Sequence, residues 1–357
     1  MQFYELIILL DVLIVCIGIV NATNLENFET VGPYHDEDER IKGFYERGFS
    51  WPPEPDMYQP NTEGWRNLSN RRMEQAYFVE SLNDKIDLWY VSVVSAFIAP
   101  NFTETGWGLT RAPQDLVELL QDTIRSAYDE GDYRVEDDEE KVNGLKPLFI
   151  DRPDLTDYVL DELQSMHEAW AGTPLTQQQA YGFRLYRNGS SLSMHVDRHQ
   201  THVISSILHI DSSDDSEPWP IVIEDYLGNT NQVILTPGDM LFYESSKCFH
   251  GRPKKFNGSW YSSIFVHYYP NNQLWSDVDW DLEISSAIPP GWNHAPGWET
   301  HLPPLQVKSA AIREPTCPND WCNLQDAIPW MGPAEMDYVM TTGSTKYPLW
   351  DDIEEEL

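Results

Sequence analysis

The feature that most constrains this chain is a succession of short strand-like stretches between residues 180 and 268. Residues 180–187 (Ala-Tyr-Gly-Phe-Arg-Leu-Tyr-Arg) are rich in aromatics and end at the turn pair Asn188-Gly189. Residues 191–197 read as the next strand, and 201–210, 220–224 and 232–236 as three more, each β-branched or aliphatic. Pro237-Gly238-Asp239 makes a turn, 240–244 a further strand, and 260–268 the last. Short strands with turn signals at this spacing are the signature of a sandwich or closed barrel.

Two amphipathic helices precede the strands. Residues 114–128 carry Leu116, Leu119, Leu120, Ile124 and Ala127 on one face, with Pro113 at the start. Residues 154–170 carry Leu155, Val159, Leu163, Met166 and Trp170, with Asp154 as the expected cap and Gly172 and Pro174 as the stop. Both stripes are expected to pack on one sheet. His167 lies off the apolar stripe and is expected at the surface. Residues 70–82 look helical, 85–99 are ambiguous between helix and strand, and 24–67 read as a wrapping arm.

Within the strand region, His195-Val196-Asp197 is answered by His250. Two imidazoles and one carboxylate are the ligand set of a mononuclear non-haem iron site, filling one side of the metal and leaving positions open. The triplet alone says little. Ten His and 58 acidic residues in 357 give about 1.6 His-x-acid triplets by chance, and His35-Asp36-Glu37 and His209-Ile210-Asp211 are others. Position decides among them. Side chains two apart on a strand share a face, so His195 and Asp197 should point together. A jelly roll also needs several strands between its paired ligands and its distal one, and His209 leaves fewer before His250.

Tyr186-Arg187-Asn188-Gly189 followed by His195-Val196-Asp197 resembles the Tyr-x-x-Gly-x5-His-x-Asp segment of the prolyl 4-hydroxylase-like iron(II)/2-oxoglutarate dioxygenases. The Pro-Gly-Asp turn, the Leu-Phe-Tyr strand and the His250-Gly251 pair continue the likeness, which spans residues 180–270. The resemblance implies an α+β fold with a mainly β core, a double-stranded β-helix or jelly roll with supporting helices on one sheet. It implies Fe(II) held by His195, Asp197 and His250, 2-oxoglutarate as cosubstrate contacted by Tyr186, and hydroxylation of a peptidyl, prolyl-like substrate.

One departure stands out. The family carries a Lys or Arg about ten residues beyond the distal His, and here that region is Asn257-Gly258-Ser259-Trp260-Tyr261. A buried carboxylate needs a cationic partner, and Arg grips one with two bonds. Arg252 is the first candidate, Arg184 the second, and Lys254 and Lys255, on an expected solvated turn, the third.

Residues 6–20 are apolar apart from Asp11, shorter than a comfortable membrane span. Val20-Asn21-Ala22 suits signal-peptidase cleavage, so residues 1–22 are expected to be a signal peptide and the mature protein to occupy the endoplasmic reticulum lumen or to be secreted, without stable membrane insertion. Asn67 and Asn101 head the sequons expected to carry glycans; Asn188 and Asn257 head two more, near the pocket, and are not both expected to be glycosylated. Cys317 and Cys322 enclose a short loop that a disulfide could close in an oxidising compartment. Cys16 leaves with the signal, and Cys248 is expected as a small buried hydrophobe. A zinc site from Cys248, Cys317 and Cys322 lacks paired Cys-x-x-Cys spacing.

The net charge of −35 disfavours nucleic acid and anionic membrane as partners. The expected partner is a peptidyl or small-molecule substrate. Acidic clusters at 36–39, 136–140 and 211–217 read as exposed loops, and that at 351–356 as a tail. The organisation is thus a signal (1–22), an arm with supporting helices (23–175), a dioxygenase core (176–270) and a Trp/Pro-rich extension (271–357). Two alternatives stay open: a cupin-type oxygenase of the same barrel that does not use 2-oxoglutarate, and a non-catalytic β-sandwich binding module.

Overall fold

Each strand-like stretch between 180 and 268 becomes a strand in the computed structural model, which describes residues 58–78, 92, 94–137, 141–272, 275 and 337–340. In chain order these residues form α1 (Glu63–Phe78), a π-helical turn (Val94–Ile98), β1 (Trp107–Arg111), α2 (Gln114–Glu130), β2 (Arg134–Val135), β3 (Val142–Asn143), β4 (Leu148–Phe149) and α3 (Pro153–Ala171). Then come β5 (Leu175–Arg187), β6 (Ser191–His195), β7 (Ile204–Ser212), β8 (Ile221–Glu224), β9 (Thr230–Ile234), β10 (Asp239–Tyr243), β11 (His250–Arg252), β12 (Trp260–Pro270) and β13 (Asp337–Met340).

The strands form two mainly antiparallel sheets, ordered β1-β10-β7-β12-β5-β4-β2 and β13-β9-β8-β11-β6-β3. The sheets pack as a sandwich. Ring contacts cross between them, as where Tyr243 of β10 meets His250 of β11 at 4.5 Å. The larger sheet is covered on both faces, by the second sheet and by α2 and α3, so β7 is buried almost throughout rather than on alternate residues. Period 2 still sorts its side chains. Ile204, Leu208 and Ile210 join the core beneath the helices, with Met240 and Phe242 of β10 and Ile264, Val266 and Tyr268 of β12. The intervening Ile207, Tyr243, Phe265 and His267 face the interior of the sandwich and line its cavity.

The helices differ from expectation in detail. In α2, Val117 is buried where Leu119 was expected, and Leu119 is exposed. In α3, Asp154 does not cap: Arg152 holds the cap position without a side-chain bond, and the Asp154 carboxylate accepts from Arg152 instead. His167 is wholly buried, not at the surface. It sits between the rings of Phe242 and Tyr268, at 4.8 and 4.5 Å, because the larger sheet meets a wider arc of α3 than the aliphatic stripe covers. Trp170 is only partly buried and stacks on Phe242. The first helix starts at Glu63, inside the expected arm, and the ambiguous 85–99 segment contains the π-helical turn.

Two acidic clusters are not simple exposed loops. Glu136 is buried against Arg184 and Tyr181, and Asp211 is buried against Arg125 at 2.6 Å. The clusters at 36–39 and 351–356, the signal segment and the Cys317–Cys322 pair lie outside the described residues. Among the described residues no helix is long and apolar enough to cross a membrane.

Candidate metal centre

β6 ends at His195, and Asp197 lies on the turn beyond it. Strand alternation therefore does not align the two. The Asp197 N–H donates to Ser245 O at 2.8 Å, which ties this turn to the loop after β10. β11 begins at His250, directly opposite His195 in the antiparallel register. The two imidazole centroids are 4.4 Å apart. One donor atom from each of His195, Asp197 and His250 lies within 4.8 Å of the others. Asp197 Oδ1 is 3.5 Å from His195 Nε2, and Oδ2 is 3.8 Å from His250 Nε2.

The proton positions follow from the neighbours. His195 Nδ1 is 2.7 Å from Ser193 O, and His250 Nδ1 is 2.9 Å from Cys248 O. A carbonyl only accepts, so both rings carry hydrogen on Nδ1 and turn a bare Nε2 toward Asp197. Burial holds both imidazoles neutral, His250 down to about 3, with Lys141 acting the same way on His195. Burial raises the Asp197 carboxyl, but its basic neighbours, Lys141 at 3.9 Å among them, outweigh that and hold it well below the usual carboxylate range. Its Oδ2 accepts no hydrogen bond from the described residues. Two lone-pair nitrogens, one anionic oxygen without a donor, and second nitrogens fixed by backbone carbonyls fit a divalent transition metal.

The triad lies on the wall of a cavity of about 350 Å³. Of the expected cosubstrate contacts, Arg184 lines this cavity. Its Nε and Nη2 grip Glu136, each at 2.7 Å, and Nη1 donates to Tyr186 Oη at 3.3 Å. Tyr186 is fully buried with its ring against Trp219. Arg252, the first candidate, is not among the lining residues. Its guanidinium lies 4.7 Å from the rings of both Trp219 and Tyr261 and donates to Trp219 O and Tyr261 Oη. The pairing of β11 with β6 shifts register between His250 and Arg252, so that Arg252 stands opposite Leu192. Lys254 and Lys255 are exposed, as a solvated turn requires.

Among the cavity residues that escaped the sequence reading are Lys141, Arg198, His202 and His267. His267 Nδ1 is 3.9 Å from Asp197 Oδ2 and 2.8 Å from Ser205 Oγ. Its ring lies 4.1 Å from that of His202. The alternation of β12 held the signal for His267, since Phe265, already inward, is two residues before it. Lys141 and His202 come from irregular segments, which have no period to read. His209 and Asp211, the competing triplet, are occupied elsewhere: His209 stacks on Tyr261 at 4.0 Å and Asp211 pairs with Arg125. Cys248 is a buried free thiol. Asn67, Asn101, Asn188 and Asn257 are all exposed.

No family model matches the chain, and no curated protein does. Solved structures do. A prolyl 4-hydroxylase from Pseudomonas putida is 18% identical over 52% of this chain and 100% of its own, with a TM-score of 0.38. HygX from Streptomyces hygroscopicus, solved with nickel, 2-oxoglutarate and hygromycin B bound, is 13% identical over 47% of this chain and 84% of its own, at 0.36. A prolyl hydroxylase from Trichoplax adhaerens, in complex with a hypoxia inducible factor oxygen degradation domain peptide fragment, is 13% identical over 53% of this chain and 90% of its own, also at 0.36.

Proposed function

We propose that the chain is an iron(II)- and 2-oxoglutarate-dependent dioxygenase that hydroxylates its substrate. The observation that carries this is the meeting of two bare imidazole nitrogens and a donorless carboxylate oxygen within 4.8 Å, at a cavity wall. The strand order supports reading the sandwich as a double-stranded β-helix. From β5 to β12 every successive pair except the β8–β9 hairpin crosses between sheets, so that β10-β7-β12-β5 faces β9-β8-β11-β6.

When bound, iron would let dioxygen oxidise both partners, 2-oxoglutarate to succinate and CO2 with one oxygen atom and a substrate C–H to C–OH with the other. The chain's part is to hold and orient. His195 and His250 offer neutral Nε2 atoms, kept in that tautomer by Ser193 O and Cys248 O. Asp197 offers the compensating charge. Ile207, Phe265 and the ring of Tyr243 form the apolar part of the cavity wall. Arg184, fixed by Glu136, is the one expected cosubstrate contact that lies on that wall.

The finer reading is a peptidyl, prolyl-like substrate met in the secretory pathway. Its support is the resemblance of residues 180–270, the apolar N-terminal run and the exposed sequons at Asn67 and Asn101. The test is 2-oxoglutarate decarboxylation with added iron, comparing wild type with His250→Ala. Turnover should vanish in the variant; equal turnover in both ends the proposal. One observation favours a second reading, a cupin-type oxygenase that does not use 2-oxoglutarate. Arg252 stands off the cavity, and Arg184 is already gripped by Glu136. Iron-dependent turnover without 2-oxoglutarate would decide for it. A binding module without metal requires His195 to face away from His250, against their 4.4 Å contact.

A further inference from the structure

The cavity carries a charge opposite to that of the chain. Lys141, Arg184 and Arg198 line it, and the only carboxylate on its described wall is Asp197, in a protein of net charge −35. Arg184 is neutralised by Glu136. Lys141 Nζ stands 3.9 Å from Asp197 Oδ1, with its side chain 34% exposed. Arg198 is exposed at the cavity edge and makes no ion pair among the described residues. The turn that carries Arg198 is fixed by the His202 N–H, which donates to Arg198 O at 2.7 Å.

A divalent metal, Asp197 and a cosubstrate dianion together leave one negative charge at the centre. Lys141 and Arg198 set cationic groups on the wall around it, so the charged residues that line the cavity are mainly positive. A surface as acidic as this one repels anions at long range, so a positive cavity mouth is what lets an anion enter and stay. Arg adds a planar fork that matches carboxylate, sulfate or phosphate oxygens.

We propose that the substrate bears an anionic group close to the carbon that reacts, and that Arg198 and Lys141 select it. This rests on the dioxygenase reading of the same site. The group belongs either to a small molecule or to an acidic peptide, and two probes separate these sources. The full chain, with Mn(II) and 2-oxoglutarate and without oxygen, is titrated with inorganic phosphate and, separately, with a fluorescent hexaglutamate peptide. Hexaglutamine and hexalysine peptides serve as controls, and each titration is repeated without metal.

Phosphate, hexaglutamate or both should bind; phosphate alone points to a small-molecule source, and hexaglutamate to an acidic peptide. Arg198→Gln and Lys141→Gln should each weaken that binding at least tenfold, and Arg198→Lys should restore most of it. The proposal is overturned if neither anion binds, if hexaglutamine or hexalysine binds as well, or if the Gln variants bind like wild type. Mn(II) binding is read by electron paramagnetic resonance on the same samples. Failure of wild type to take up Mn(II) counts against the dioxygenase reading, while the metal-free titration still decides the anion selectivity.

Discussion

Asp197 Oδ2 stands 3.8 Å from His250 Nε2 and accepts no hydrogen bond from the described residues. A largely buried carboxylate oxygen without a donor is costly, so the metal-free protein should be less stable than its core allows. Asp197→Asn removes the charge at constant shape. Metal affinity should fall more than 100-fold, well beyond the 10–100-fold typical of outer partners. The melting temperature without metal should hold or rise, and wild type alone should gain stability on adding Fe(II) or Mn(II). Calorimetry with and without metal checks both signs. A variant that loses stability as an apoprotein and keeps its affinity would place Asp197 among structural residues.

The Glu136–Arg184 pair is buried on both sides, at 1% and 6% side-chain exposure. Removing one member of such a pair strands the other, at about 3–5 kcal/mol. Glu136→Ala should therefore destabilise by that order in urea unfolding, whereas Glu136→Ala with Arg184→Met should recover part of it. If the double variant is no better than the single, the cost lies in lost packing with Tyr181 rather than in an uncompensated guanidinium.

Much of this site was legible in the residues, and what was not has physical causes. His195, Asp197 and His250 meet as the resemblance implies, and His195 and His250 lie on paired strands, but Asp197 lies beyond the end of β6, where strand period does not align it. The reason for the Asp197 orientation was not legible, since Ser245 O comes from 48 residues away and no local pattern announces it. Glu136 read as one acid in an acidic loop. Its burial depends on Arg184 reaching it across the sheet, which is a fact of pairing between β4 and β5. His167 misled for a similar reason: a neutral imidazole between two rings is apolar in effect, though a helical wheel counts it as polar. The register shift between His250 and Arg252 is a single irregularity invisible to period 2.

His167 also sets a pH dependence. Burial lowers its pKa from 6.5 to about 3. The unfolded chain therefore binds a proton between those values and the folded chain does not, so stability falls as pH drops below 6.5 and the loss is complete near 3. At pH 5 the share of this one group is about 2 kcal/mol. His167 Nε2 has no partner, so His167→Phe should be neutral or mildly stabilising at pH 7.5. Its advantage over wild type should grow steadily as the pH is lowered to 5, measured by chemical denaturation. A constant difference across that range would mean that the imidazole is solvated in the folded state.

Gly251 separates His250 from Arg252 at the closest approach of β11 to β6. A Cβ there would stand 2.8 Å from Ser193 O, 2.9 Å from Met194 Cα and 2.9 Å from Ser193 C. All three are backbone atoms of the strand that carries His195, so the crowding cannot be relieved by a rotamer. It must push β11 away from β6, the one displacement that separates the two imidazoles. Gly251→Ala should therefore cost about 1–3 kcal/mol of stability, as overpacking does, and weaken metal binding at least tenfold. Substituting Gly189→Ala gives the control, because no atom lies within 4 Å of a Cβ there although its φ of 80° also favours glycine. That variant should lose comparable stability from backbone strain alone and keep its metal affinity. Equal metal affinity in both variants would show that the spacing of β6 and β11 does not govern the centre.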